Sequence, residues 1–204
     1  MSTEVIRVES PFGVTVEHQL EVHQPRSERL LVILPGRGYL VSHPVLFHVG
    51  QVAWQHGWDV LPVTYGFQVG GDPGAITEAL LAEEVRLATS GVLARGYREV
   101  CVVGKSMGTP LAMDLVRSVA AERRSQILLT PIGPALSPPG DVRTLAIIGT
   151  ADPLYRPDLE GGAGSIEWLV LEHLDHGLVD PASWRRSVAS LEAILAACEA
   201  FLEG

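Results

Sequence analysis

The feature that most restricts how this chain can fold is a repeated switch of hydrophobic period. Short, mostly apolar runs occur at Leu30-Leu31-Val32-Ile33-Leu34, Asp59-Val60-Leu61-Pro62-Val63, Glu99-Val100-Cys101-Val102-Val103, Gln126 to Leu129, Thr144 to Ile148 and Ile166 to Leu171. Runs of this kind suit strands covered on both faces. The stretches between several of them read as helices. One starts at Ser42-His43-Pro44, where either polar residue can cap and Pro44 suits the first turn, and runs to about Gly57. Others run from about Ala75 to Arg95, where Gly96 stops the pattern, from Met107 to Glu122, and from about Ala182 to Leu202. Strands that alternate with helices build a mostly parallel sheet wrapped on both sides. Val5 to Val8 and Val14 to Val22 alternate loosely around Pro11-Phe12-Gly13, which predicts an antiparallel hairpin at the sheet edge. The expected class is α/β: a three-layer α/β/α sandwich, mostly parallel, with antiparallel strands at its N-terminal side.

A chain of 204 residues suffices for one domain with a substantial core, so a single domain over residues 1–204 is expected. The formal net charge of -9 argues against nucleic acid or an anionic membrane as the main partner, because both need clustered Lys and Arg to displace counterions. Met1 to Glu9 carries no basic segment followed by an apolar run, and no apolar stretch is long enough to cross a bilayer. Cys101 lies in an apolar run and Cys198 in an Ala-rich helical pattern, so both are expected to be buried and inert. A cytoplasmic protein is the simplest expectation.

The chemistry is concentrated in Gly104-Lys105-Ser106-Met107-Gly108, a G-x-S-x-G that follows a strand and opens a helix. A serine on so sharp a turn adopts strained backbone angles, and the strand and helix pass so close that residues 104 and 108 must be small. The turn lifts the hydroxyl clear of the sheet and directs the Met107 N–H and the helix N-terminus at the space where an oxyanion forms. A serine hydroxyl is a weak nucleophile until a base takes its proton, and that base needs a fixed tautomer. After a turn of this type the partners follow in the order Ser, acid, His, each beyond a later strand. Asp152 stands in the loop after Thr144 to Ile148, and His176 in the loop after Ile166 to Leu171.

Rival residues fit less well. Asp175 is adjacent to His176, and neighbouring side chains point apart, so it reads as a loop stabiliser. His173 is the alternative base. Asp141, Asp158 and Asp180 lie in Pro- or Gly-containing turns, which explain them. His18, His23, His48 and His56 have no motif around them and are expected on the surface or on helix faces. No His, Cys and Asp residues have metal-ligand spacing, so no metal is expected, and a serine, a base and an acid imply no cofactor.

Pro35-Gly36-Arg37-Gly38-Tyr39, Gly104 to Gly108, Gly149 to Asp152 and Asp175-His176-Gly177 together resemble the α/β-hydrolase superfamily over nearly the whole chain. The resemblance is greatest to small bacterial members without a cap domain that carry a P-G-x-G-Y loop. It implies that the residue after the first loop glycine, Arg37, gives a second oxyanion amide to pair with Met107. Many lipases and esterases have His-Gly where this chain has Pro35-Gly36, which leaves Arg37 and Gly38 both open as the donor. Gly36, Gly38, Tyr39 and Tyr65 are the candidate substrate-binding residues, with each tyrosine equally suited to packing. The Arg37 side chain either holds an anionic group of the substrate or lies in solvent. In this superfamily a lid is commonly inserted where Thr130 to Arg143 lie here, and that connection is too short to form one.

The leading reading is an ester hydrolase for small or soluble molecules that works through an acyl-enzyme. An acyl thioesterase is the alternative enzyme, and a non-catalytic scaffold binding a ligand or partner is the alternative of another class.

Overall fold

The computed structural model describes residues 2–72, 74, 76–133, 140–157 and 166–204. Its elements are β1 (Ser2–Glu9), β2 (Thr15–Val22), β3 (Arg29–Leu34), α1 (Pro44–Gln55), β4 (Asp59–Pro62), α2 (Glu78–Leu93), β5 (Glu99–Lys105), α3 (Gly108–Ser118), β6 (Arg123–Leu129), β7 (Arg143–Gly149), β8 (Ile166–Leu171) and α4 (Trp184–Glu203). One eight-stranded sheet has the order β1-β2-β4-β3-β5-β6-β7-β8. The β1–β2 and β2–β4 pairs are antiparallel, and every later pair is parallel.

Successive residues of a strand face opposite sides, so an unbroken apolar run feeds two cores at once. Leu30, Val32 and Leu34 of β3, with Val100 and Val102 of β5, pack under α2 and α3. Leu31, Ile33, Cys101 and Val103 pack on the opposite side under α1 and α4, together with Val49, Ile194 and Phe201. These two apolar layers make the three-layer sandwich. Thr77 Oγ1 caps α2 by accepting from the Leu80 N–H at 3.3 Å, and Ser183 Oγ caps α4 by accepting from the Arg186 N–H at 3.3 Å.

Several sequence expectations need correction. α3 stops at Ser118, where the next residue, Val119, turns to extended backbone, and β6 starts at Arg123 rather than Gln126. Neither polar residue before Pro44 caps α1 with its side chain. Instead His43 Nδ1 accepts from the Leu40 N–H at 2.8 Å, and the Tyr39 hydroxyl accepts from the Val45 N–H at 3.3 Å. His18 is not a surface residue. It shares the inward phase of β2 with Val16, Leu20 and Val22, and burial pushes its imidazole down to about 4. The Asp158 turn and the Pro134 to Pro139 part of the Pro-rich loop lie outside the described residues, as does Ala75 at the expected start of α2.

Candidate active site

Ser106 follows directly on β5 with φ 51, a left-handed conformation that costs a non-glycine residue energy. Its neighbours enforce it. A Cβ on Gly104 would lie 2.5 Å from the Gly108 carbonyl oxygen, and one on Gly108 would run into the backbone carbonyls of Leu34 and Pro35. The Ser106 N–H donates to the Leu129 carbonyl at 2.9 Å, while the Thr109 N–H and hydroxyl both donate to the Ser106 carbonyl, at 2.8 and 2.7 Å. The hydroxyl therefore stands partly exposed at the head of α3, beside Met107, in a position set by backbone packing. The first N–H groups of a helix have no partner within it, which leaves positive potential here.

β7 ends at Gly149, and the chain turns to bring Asp152 into a buried position. A Cβ at Gly149 would collide with the Leu174 carbonyl, so this loop and the one after β8 lie directly against each other. The Asp152 carboxylate is used on both oxygens. Oδ1 accepts from the Leu154 N–H at 2.9 Å, and Oδ2 lies 2.7 Å from His176 Nδ1. A carboxylate only accepts, so the proton in this contact is assigned to Nδ1. Nε2 in turn lies 2.8 Å from Ser106 Oγ, within hydrogen-bond reach. The imidazole side chain is 39% exposed and the carboxylate fully buried, so this series of contacts is wet at one end and dry at the other.

The loop carrying His176 is held by polar bonds. Asp175 Oδ1 accepts from the Gly177 and Val179 N–H groups at 2.7 and 3.2 Å, the stabilising role expected of it. The His173 N–H donates to Thr150 Oγ1 at 2.9 Å, and its ring is exposed beside Glu172. The structure thus brings His176, not His173, to Ser106.

The loop after β3 approaches from the other side. A Cβ on Gly36 would lie 3.5 Å from Ser106 Cβ, an ordinary contact, and 3.3 Å from the Lys105 carbonyl oxygen, a tight one, so the loop passes close beside the strand that presents Ser106. The Gly36 N–H donates to the Tyr39 carbonyl at 3.0 Å, closing a tight turn with Arg37 and Gly38 exposed at its tip. Tyr39 is half-buried against His43, and burial raises its phenol. Tyr65 requires a correction. It has no exposed surface, stacks on Phe67 with ring centroids 5.6 Å apart, and belongs to the core rather than to a substrate surface. The 3₁₀ turn Gly66–Val69 buries it, because Gly66 packs directly against Ser10 and Phe12 of the β1–β2 connection.

Neither protein-family models nor curated proteins match the sequence. Solved structures do. A protein of unknown function from Agrobacterium tumefaciens, provisionally classed as an α/β hydrolase, superposes with a TM-score of 0.72 over 98% of this chain and 95% of its own, at 16% identity. A lidless α/β serine hydrolase from Xanthomonas campestris does so with a TM-score of 0.69 over 100% and 97%, at 13% identity. Est1E from Butyrivibrio proteoclasticus gives 0.69 over 99% and 98%, at 12% identity. The chain has the α/β-hydrolase fold.

As in the α/β-hydrolase fold generally, Ser106, Asp152 and His176 lie just beyond the carboxyl ends of β5, β7 and β8. Two neighbours escape a reading of motifs. Gln68 donates from Nε2 to the Gly36 carbonyl at 2.9 Å and, at 3.5 Å, to that of Arg37, while its Oε1 accepts from the Tyr65 N–H at 3.1 Å. Nothing in Tyr65-Gly66-Phe67-Gln68 signals this brace. Lys105 is buried, and its ammonium donates to Thr130 Oγ1 at 2.5 Å and to the His176 carbonyl at 2.7 Å. A charge at the end of the apolar β5 run was the available signal. Burial pushes this ammonium down to about 8, against the opposing pull of Asp152 and Asp175. Among the described residues, no cluster of His, Cys, Asp and Glu could hold a metal ion, and no helix is long and apolar enough to cross a membrane.

Proposed function

We propose that this protein is a serine hydrolase for carboxylic esters of small or soluble molecules, working through an acyl-enzyme. The observation that carries this reading is the hydrogen-bonded series Asp152–His176–Ser106, with contacts of 2.7 and 2.8 Å that suit a ring protonated on Nδ1. In the first half-reaction Ser106 Oγ bonds to the ester carbonyl carbon while its proton passes to His176 Nε2. The imidazolium so formed rests against the Asp152 carboxylate. The bond to the alkoxy group then breaks, and Nε2 returns the proton to the leaving alcohol. Water repeats the sequence, giving its proton to Nε2 and its oxygen to the acyl carbon, and Ser106 is regenerated with release of the acid.

The tetrahedral oxyanion is assigned to the Met107 and Arg37 amides. Gln68 supports Arg37 over Gly38. In a trans peptide the C=O and N–H point in opposite directions. Pinning the Gly36 carbonyl to Gln68 at 2.9 Å therefore turns the Arg37 N–H away from Gln68, whereas the contact to the Arg37 carbonyl is at the limit of a hydrogen bond. The partly exposed hydroxyl and imidazole favour substrates that arrive from water. A cytoplasmic setting belongs to the same proposal, with two unbridged thiols, Cys101 and Cys198, as its support.

Treatment with a fluorophosphonate tests the reading. A covalent adduct on Ser106 of the wild-type protein, absent in Ser106→Ala, is expected, together with loss of ester turnover in the variant and no loss of folding. A folded wild-type protein that takes no label points instead to a binding role. The same apparatus cleaves thioesters, so a panel of esters and acyl-CoA thioesters matched in chain length decides between those leaving groups.

A further inference from the structure

We propose that Lys105 is a positioning residue that joins three separate parts of the site through one ammonium group, and so fixes the His176 imidazole and the loop after β3 relative to Ser106. This inference rests on the hydrolase reading for its catalytic meaning, but its geometry stands on its own.

Lys105 is the residue before Ser106, so its backbone belongs to the strand that presents the hydroxyl. Its side chain, 1% exposed, points into the protein. There the ammonium meets Thr130 at the end of β6, the backbone carbonyl of His176 in the loop after β8, and the face of the Tyr39 ring, whose centroid is 5.0 Å away, in the loop after β3. An ammonium has three donors, and these contacts use two of them in hydrogen bonds and direct the charge at an aromatic face. The charged and titratable groups around it are Asp152 on the acid loop, Asp175 and His176 on the histidine loop, and Tyr39. Among the described residues, no carboxylate oxygen lies within salt-bridge reach of Nζ, so the cation is carried by neutral acceptors and a ring.

A position that served only to fill space would not hold such a group. Taking an ammonium out of water is costly, and apolar side chains of similar volume are commonly neutral or stabilising replacements. What the ammonium supplies is direction. Its bond to the His176 carbonyl ties the backbone of the base to the strand of the nucleophile, across 71 residues of sequence. Tyr39 extends the tie to the oxyanion side, because its hydroxyl is anchored on the Val45 amide and its carbonyl closes the turn at Gly36. Thr130 is itself held in a left-handed conformation, with φ 45, by its N–H bond to the Ile147 carbonyl at 2.7 Å.

The test compares wild type with Lys105→Met, which keeps the length and removes the donors. The first readout needs no catalysis: the NMR resonance of the His176 Nδ1 proton. In the wild type it is expected downfield and slow to exchange. In Lys105→Met it is expected to broaden or vanish, with at least tenfold faster exchange of the amides of residues 173–179, in a protein that still unfolds cooperatively. The second readout is kinetic: kcat falls about 100-fold with KM within about twofold, the pattern of a misplaced group rather than a lost binding contact. Should Lys105→Met fail to fold, Thr130→Val removes one acceptor and is expected to move the same proton resonance in the same direction. An unchanged ring proton and unchanged loop exchange in the folded variant would overturn the proposal. Absence of fluorophosphonate label on the wild type overturns the hydrolase reading instead, and leaves the ring-proton comparison to judge Lys105.

Discussion

The turn that carries Ser106 and the loop that carries His176 meet across 2.8 Å but are built by different means. The first is fixed by exclusion. Gly104 and Gly108 have no space for a Cβ, and the strand, helix and neighbouring carbonyls leave the backbone at residue 106 one course to follow. The second, beyond the close contact of Gly149 with Leu174 at its start, is held mainly by polar bonds: Asp175 to two amides, Thr150 to the His173 amide, Lys105 to the His176 carbonyl, and Asp152 to the ring. Steric fixation fails together with the fold, because relieving a clash means moving a strand or a helix. Polar fixation fails locally. On the proposed reading this suits the two roles: the nucleophile is held still, whereas the base carries a proton from one oxygen to another, and a loop held by directional bonds permits that small adjustment.

This contrast predicts a ranking. Asp152→Asn keeps the shape of the loop but favours the wrong ring tautomer. It is expected to lower kcat by about four orders of magnitude, on the analogy of other triads, with thermal unfolding nearly unchanged. Steady-state kinetics checks this, and a loss below about tenfold would assign the acid elsewhere, with Asp175 first to examine. Gly108→Ala strikes the other region and is expected to act on folding rather than on chemistry. The added methyl meets backbone, not a flexible side chain, so a loss of at least about 3 kcal/mol is anticipated in denaturant titration. A stable Gly108→Ala with only its rate impaired would break the distinction between the two regions. Asp175→Ala should have the smallest effect. It removes the acceptor of two loop amides and is expected to cost about 1–2 kcal/mol and about tenfold in kcat, with faster exchange confined to residues 173–179.

What the amino-acid order revealed follows the same division. Ser106, Gly104 and Gly108 are legible because exclusion leaves a mark: two small residues at fixed distances from a serine, between an apolar run and a helix. Asp152 and His176 are legible through the rule that functional loops follow the carboxyl ends of parallel strands. The bracing residues are harder to read: Gln68 donates to backbone carbonyls, which any peptide offers, and Lys105 shows only as a charge at the end of an apolar run, with nothing to mark its partners. Tyr65 illustrates the opposite failure. It was a candidate for the substrate surface as well as for packing, and the choice was made by Ser10 and Phe12 from far earlier in the chain, against which the next residue, Gly66, packs while Tyr65 is fully buried. The early start of β6 was hidden for a related reason. Arg123 and Arg124 open the strand at the polar rim, where they pair with Glu99 and Asp141, so no apolar run announces them. His18, by contrast, was readable: the alternation of Val16, Leu20 and Val22 already put it inward.

Since the bend at residue 106 is imposed from positions 104 and 108, its own side chain contributes little to making it. The site behaves as a socket whose plug can be exchanged. A thiol placed there by Ser106→Cys would stand against the same imidazole with the backbone around it unchanged, so on the proposed reading oxygen and sulfur can be compared as nucleophiles within one unaltered scaffold.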